Sequence, residues 1–476
     1  MKKKIIWFSG LFLLLLTPLS CSDDFDDFPQ SRSVNEFIWK GLNQYYYWLQ
    51  DSPDLADNRF ASDDAFQNFL NAYSPPEALF EHLVVDRQTD RFSVIFSDYT
   101  ALEQVLSGTQ KNNGVDYELR YKNGSSTELF GWVRYILPGS DAASKNIQRG
   151  DLFYAVNGIP LTANNGVLNP NALSNDTYTL NLADYDNGNI TPNGNSVALT
   201  KTAFSENPVY LKKTFTIGTK KIGYLMYNGF YSQYESELNN AFVYFASEGV
   251  THLILDLRYN SGGSVNTATR LASMITGQFN NDIFAKQQWN YKLQAVFDAE
   301  DLLNRFTTTL GNGAGLQSLQ LDKLYVLTSK RTASASELVI NGLKPHINVI
   351  QIGDATTGKN VGSVTLYDSP DYRKVNVNPN HRYAMQPIVL KIANKNNFSD
   401  YVNGLQPDVN QVEDLSNLGV LGETSDPLLQ TALNYVDTNG RFSIPEPEYR
   451  FEHFQDVKSI RPFGTEMYID AIPNLK

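Results

Sequence analysis

Leu253-Ile254-Leu255-Asp256-Leu257 runs directly into Arg258-Tyr259-Asn260-Ser261-Gly262-Gly263-Ser264 in the middle of this chain. A run that is apolar but for one carboxylate, with no polar alternation, fits a strand buried on both faces, as in a parallel sheet covered by helices. Beyond the turn, Ala268, Leu271, Ala272 and Ile275 recur at helical spacing. Upstream, residues 222–227 predict a strand, and residues 234–248 a helix with Leu238, Ala241, Phe242 and Phe245 on one face. Strand, helix, strand and helix in alternation predict an α/β unit with a mostly parallel sheet. Paired glycines at a strand's end let backbone amides approach a ligand, since no Cβ intervenes. An ordinary strand-to-helix turn satisfies the same pattern.

Working toward the C-terminus, Leu324-Tyr325-Val326-Leu327-Thr328 predicts the next strand, followed by Ser329-Lys330-Arg331-Thr332-Ala333-Ser334-Ala335-Ser336-Glu337 and a helix carrying Leu338, Val339 and Leu343. Strand, turn, then serine at a helix start is the layout of a nucleophile elbow. Ser334 and Glu337 also form a capping box, in which the serine caps and the glutamate answers three residues later. A further strand at 349–352 ends at Gly353-Asp354-Ala355-Thr356-Thr357-Gly358-Lys359-Asn360. Gly353, Gly358 and Lys359 match a phosphate-binding loop up to its last position, where Asn360 replaces the hydroxyl residue that holds magnesium. The β-prone stretch 361–365 stands where a helix should begin, so no nucleotide and no cofactor is expected.

Lys359 follows Ser334 by 25 residues. A serine hydroxyl needs a base, and the five histidines (82, 252, 346, 381 and 453) lie outside all of these motifs. Lysine is therefore the candidate, provided burial brings its ordinary pKa of about 10.4 down.

Working toward the N-terminus, residues 108–215 are β-rich and broken by hairpin signals such as Asn123-Gly124. A polar stretch from Asn164 to Asn195 predicts a long loop or hairpin. Within it, Asp184 to Asn189 only hints at a calcium loop: its glycine comes early and no bidentate glutamate follows, so no metal is expected. Residues 33–107 predict a helical domain. Ser33-Val34-Asn35-Glu36 is a capping box there, Phe66, Phe69, Leu70 and Tyr73 form a second amphipathic stretch, and Pro75-Pro76 stops it. Its aromatic stripe reads as core.

Over all 476 residues, 39 Lys+Arg stand against 51 Asp+Glu, a net charge of −12 that excludes a nucleic-acid binder. The single cysteine, Cys21, excludes a disulfide framework and a cysteine-based zinc site.

Five resemblances add to these readings. Lys2-Lys3-Lys4 followed by the apolar run from Ile5 to Leu16 resembles a signal peptide, and Leu19-Ser20-Cys21 resembles the lipobox of bacterial lipoproteins, with Pro18 where leucine is preferred. The acidic Ser22 to Asp27 is similar to the export signal of surface lipoproteins in the Bacteroidetes. Pro138-Gly139-Ser140-Asp141-Ala142-Ala143, Arg149-Gly150-Asp151 and Val156-Asn157-Gly158 resemble a PDZ domain. Such a domain takes a peptide C-terminus as an added strand, with Gly114, Val115, Asp116 and Tyr117 as the candidate carboxylate loop.

The glycine turn, Thr332-Ala333-Ser334-Ala335-Ser336-Glu337, Gly358-Lys359 and the turn Gly404-Leu405-Gln406-Pro407-Asp408 together resemble the C-terminal processing, or tail-specific, serine peptidases. That resemblance implies Ser334 as nucleophile and Lys359 as base, with the amides of Ala335 and of Gly262 or Gly263 as the oxyanion hole. Where many members carry a glutamine that orients the lysine, this chain has Ser363. The implied protein is an exported endopeptidase of the bacterial cell envelope, lipid-anchored to the outer membrane through Cys21 and acting on protein or peptide substrates. The alternative is a decayed lipoprotein that keeps PDZ recognition without turnover. The expected organisation is a signal peptide (1–20), a linker after the lipidated cysteine (21–32), the helical domain (33–107), the PDZ-like domain (108–215), the α/β peptidase domain (216–425) and a C-terminal segment (426–476).

Overall fold

The computed structural model describes residues 31–438, 449–458 and 463–474. The expected signal peptide, Cys21 and the linker up to residue 30 lie outside the described residues. At the centre is a sheet of strands Val209–Ile217, Lys220–Tyr227, His252–Asp256, Lys323–Thr328, Asn348–Gly353 and Val409–Asn410, in that spatial order. The first pairs antiparallel with the second, and the remainder pair in parallel. Because Val209–Ile217 joins this sheet through a tight hairpin, the α/β unit begins there rather than at residue 216.

The lack of alternation in residues 253–257 has a direct cause. Leu253 and Leu255 enter the core on one face of the sheet, and Ile254 enters a second core on the other. The same division holds along Lys323–Thr328, with Leu324 and Val326 on one side and Tyr325 and Leu327 on the other.

The first face is covered from both ends of the chain. At the N-terminal end come α1 (Val34–Tyr45), α2 (Asp63–Asn71) and α3 (Pro76–Leu83), while Leu102 of α4 (Tyr99–Leu106) lies in a smaller core with Tyr367, Ala384 and Tyr468. The Ser33 hydroxyl caps α1 by accepting from the Glu36 amide at 3.2 Å. Phe37, Ile38, Leu42, Leu79 and Phe80 share one core with Leu253 and with residues of α5 (Glu235–Ser247), α6 (Val265–Thr276) and, after the short α7 (Tyr291–Val296), α8 (Ala335–Leu343). The N-terminal helices are thus packed as part of the α/β unit, and the strand Val94–Phe96 ties them further by pairing with Ala384–Gln386.

The second face is covered by α9 (Pro427–Thr438) and by a second sheet. Its strands run in the order Asn189–Thr200, Thr177–Asp186, Leu152–Val156, Leu129–Ile136, Val115–Tyr121 and His453–Asp456. Val115, Leu119, Val133, Phe153 and Leu180 give it a core of its own. The polar stretch expected as a loop or hairpin forms the long hairpin Thr177–Asp186 and Asn189–Thr200, turned by Asn187 at φ 46° and Gly188 at φ 85°. Two left-handed residues in succession suit a two-residue hairpin turn, and no metal-ligating cluster is found among the described residues.

A third sheet carries the strand order Gly263–Ser264, Met467–Tyr468, Val361–Ser363, Ile388–Asn394, Ile283–Trp289 and Leu303–Arg305. The C-terminal segment is therefore divided among three places: α9 on the central sheet, His453–Asp456 on the second and Met467–Tyr468 inside the third.

Candidate active site

The glycine turn and the serine elbow are sewn together through their backbones. The Thr332 hydroxyl donates to the Leu257 carbonyl at 2.9 Å, and the Ala333 amide donates to the Asn260 carbonyl at 3.1 Å. Ser329 donates to the Arg258 carbonyl. Arg258 is itself buried and fixed by Asp256 at 2.8 Å and Asp426 at 2.7 Å. Ser334 follows at φ 64°, ψ −117°, a conformation that L-residues resist and that persists only when the surroundings impose it. The Glu337 carboxylate imposes it by accepting from the Ser334 amide at 2.7 Å. The cap and the elbow are therefore one device. Ala335 opens α8, where a helix leaves its first amides without intrahelical acceptors.

The Ser334 hydroxyl is buried and donates to the carbonyl oxygen of Glu466. The Gly263 amide donates to the same oxygen at 2.7 Å. Of the two glycines expected to supply an amide, only Gly263 does, because the Gly262 amide donates to Asn260 Oδ1 at 2.8 Å. Gly262 contributes by what it lacks. At φ 115°, a Cβ there would lie 2.0 Å from the Glu466 oxygen and 2.6 Å from the Ser334 Cβ.

Lys359 is fully buried, with its Nζ 4.5 Å from the centre of the Phe92 ring. Its Nζ donates to the carbonyl of Thr465 at 2.7 Å. Burial disfavours the ammonium and brings its pKa down to about 7. Ser334 and Lys359 thus make their hydrogen bonds to successive carbonyls of one segment rather than to each other.

Glu337 joins the two halves of the site. Besides the Ser334 amide it accepts from the amides of Gly358 at 2.7 Å and Lys359 at 2.9 Å, and from the Thr356 hydroxyl. Burial pushes this carboxyl up to about 7 against the pull of those hydrogen bonds. The sequence shows Glu337 only as a capping residue. Its second task depends on residues brought beside it by the next strand and turn, which no local spacing reveals. The 404–408 turn braces that region, since the Leu405 amide donates to Thr356 Oγ1 at 2.7 Å and Asp408 accepts from the Gln351 amide at 2.8 Å.

Two expectations need correction. Ser363 does not touch the lysine amine; its hydroxyl donates to the Met467 carbonyl at 3.2 Å, because Val361–Ser363 runs beside Met467–Tyr468. In the 114–117 loop, one expected donor and the one side-chain charge are already engaged within the chain. The Val115 amide donates to Asn113 Oδ1 at 3.2 Å, and Asp116 is paired with the buried Arg134. Gly114 uses its carbonyl to accept from Leu137, and the Tyr117 carbonyl accepts from Val457 at 3.1 Å. The histidines stand apart, His82 on Asp54, His381 on Asp368 and His453 on Glu118.

Comparison with known proteins gives a consistent set of similarities. Residues 221–409 match the model described as peptidase family S41, and residues 33–94 match that of the peptidase S41 N-terminal domain. The chain is 26% identical over 235 residues to the carboxyl-terminal-processing protease of Picosynechococcus, covering 49% of this chain and 52% of that protein. It therefore spans about half the length of that relative. It is 24% identical over 390 residues to the chloroplastic C-terminal processing peptidase of Tetradesmus obliquus, covering 75% of this chain and 74% of the relative. A crystal structure described as an S41 protease from Bacteroides fragilis superposes with a TM-score of 0.65 at 27% identity, covering 87% of this chain and all of that one.

Proposed function

The chain belongs to peptidase family S41, and from that premise we propose that it is a serine endopeptidase that hydrolyses protein or peptide substrates with a Ser334–Lys359 dyad. One observation carries the reading: at a strained strand-to-helix elbow, the Ser334 hydroxyl and the Gly263 amide converge on a single peptide carbonyl oxygen.

With a substrate carbonyl at that place, Ser334 Oγ attacks the carbonyl carbon while Lys359, neutral, takes the hydroxyl proton. The amides of Gly263 and Ala335 hold the oxyanion, each donor supplying roughly 10²–10³ in rate. Lys359 returns the proton to the leaving amine, and water hydrolyses the acyl-enzyme. Substrates are recognised at their C-termini by strand addition at the edge beside Val115–Tyr121, the mode used by PDZ domains. Lipidation of Cys21 anchors the protein to the outer membrane of a bacterial envelope. Labelling with a palmitate analogue in cells should tag wild type and leave Cys21→Ser untagged; equal tagging would refute the anchor.

The deciding experiment incubates an unfolded protein with wild type, Ser334→Ala, Lys359→Ala and Lys359→Arg. All three variants are expected to lose about 10⁴-fold or more in kcat/KM. Turnover retained by Ser334→Ala would sink the peptidase mechanism. Turnover retained by Lys359→Arg would assign the base to another group, since an arginine holds its proton at any working pH.

A further inference from the structure

We propose that residues 463–474 are an intramolecular inhibitor that fills the catalytic cleft as a peptide strand. The inference rests on the peptidase reading above. Met467–Tyr468 lies between Gly263–Ser264 and Val361–Ser363, parallel to both, so the cleft is completed as a sheet by the chain itself. The serine, the lysine, the Gly263 amide and Ser363 all make their hydrogen bonds to this one segment. Ser334 and the Gly263 amide hold the Glu466 carbonyl, Lys359 holds the Thr465 carbonyl, and Ser363 holds the Met467 carbonyl. The Ile469 amide donates to the Ser363 carbonyl at 3.0 Å. The Glu466 side chain is buried and accepts from the Ser261 hydroxyl at 3.3 Å, and Met467 is fully buried.

The segment sits as a substrate would on both sides of the Glu466–Met467 bond, yet the hydrogen bonds it makes are those of a blocked enzyme. The Ser334 proton points to the Glu466 oxygen and not to Lys359, and Lys359 donates to Thr465 and not to the serine. The proton transfer that begins the attack has no path while the segment is in place. The preceding strand, His453–Asp456, covers the edge of Val115–Tyr121 at the same time. One stretch of chain therefore closes both the cleft and the edge at which a substrate strand would add. A tethered competitor acts at an effective concentration on the order of millimolar, which a free substrate rarely reaches.

The test compares wild type, a chain lacking residues 463–476, and full-length Met467→Asp, whose carboxylate cannot be satisfied in a dry strand interior. For each, kcat/KM on an unfolded protein, the rate of Ser334 modification by a fluorophosphonate, and the thermal melt are measured. Both variants are expected to melt cooperatively and to gain at least about tenfold in turnover and labelling. A synthetic peptide of residues 463–474 should then inhibit them competitively, and a scrambled peptide should not. Fast labelling and turnover in all three proteins would overturn the inhibitor while leaving the peptidase reading intact. No labelling and no turnover in any of them would remove the peptidase reading and this inference with it. Unfolding of both variants would make the segment part of the core and also overturn it. So would loss of residues 467–476 from wild type but not from Ser334→Ala by intact mass, since the segment would then be a substrate.

Discussion

A lysine that serves as a base must be neutral, and Lys359 approaches that state through burial against Phe92, with no carboxylate among the described residues bonded to its amine. Its lowered pKa sets the sign of the pH dependence. Below about 7 the ammonium holds its proton and the site is idle; kcat/KM should rise through that region and level off above it. A profile that continued upward toward pH 10 would mean the amine titrates as if in water. Glu337 is the second residue whose role can be measured. Replacing it by Gln sets an amide N–H₂ against backbone donors and loosens both Ser334 and Lys359. A displacement of about 1 Å at a reacting group can cost 10²-fold, so kcat should fall by about that factor with KM little changed. Glu466 and Asp90, and after them Glu337 where it is ionised, raise the Lys359 pKa against burial, so in Glu337→Gln the inflection should move to lower pH. A fall in kcat without that movement would mean that Glu337 only supports the fold.

Strand His453–Asp456 is held to the second sheet by more than backbone pairing. Asp456 is buried and accepts from Arg134 Nη1 at 3.1 Å and from Arg331 Nη2 at 3.1 Å, linking the second sheet to the turn that leads into Ser334. Arg134 is fully buried, with Asp116 as its other carboxylate partner. Asp456→Ala would leave Arg134 undercompensated, and breaking a buried pair in this way costs about 3–5 kcal/mol. Urea denaturation should register that loss, and Asp456→Asn, which keeps one of the two acceptor oxygens, should lose less. Equal stability for wild type and Asp456→Ala would mean that this strand is held by its backbone alone.

The N-terminal helices and the α/β unit share one core, so they should unfold together. Phe37 on α1 is fully buried there, and a Phe→Ala change in such a core typically costs 3–5 kcal/mol. Phe37→Ala should therefore lower the stability reported by Trp289, in the third sheet, as much as that reported by Trp39 on α1. Single-tryptophan variants at the two positions should give coincident transitions. Two separated transitions would mean that the helices form an independent domain.

Much of the architecture was legible in local sequence because the features concerned are themselves local. An unbroken apolar run at 253–257 can only be a strand covered on both faces or a helix core, and the turn glycines beside it settle the choice. Ser334 with Glu337 three residues on marks a helix start whatever the rest of the chain does, and the left-handed Asn187-Gly188 pair accounts for the hairpin within the polar stretch. What the linear order could not contain is which distant groups meet. Glu337 binds the amides of Gly358 and Lys359 because parallel strands Lys323–Thr328 and Asn348–Gly353 deliver their exits to one side of the sheet. Asp116 is turned to Arg134 instead of a ligand because the neighbouring strand presents a cation there. The Gly262 amide is taken by a side chain two residues away, and Ser363 faces Met467 because the C-terminal segment threads between two strands that are about 100 residues apart in sequence. Propensity and periodicity act within a few residues of chain, and they assigned the elements and the reactive residue types. Hydrogen-bond partners, the pKa of Lys359 and the occupancy of the cleft follow from burial and contact across the whole fold, and tertiary packing alone decided them.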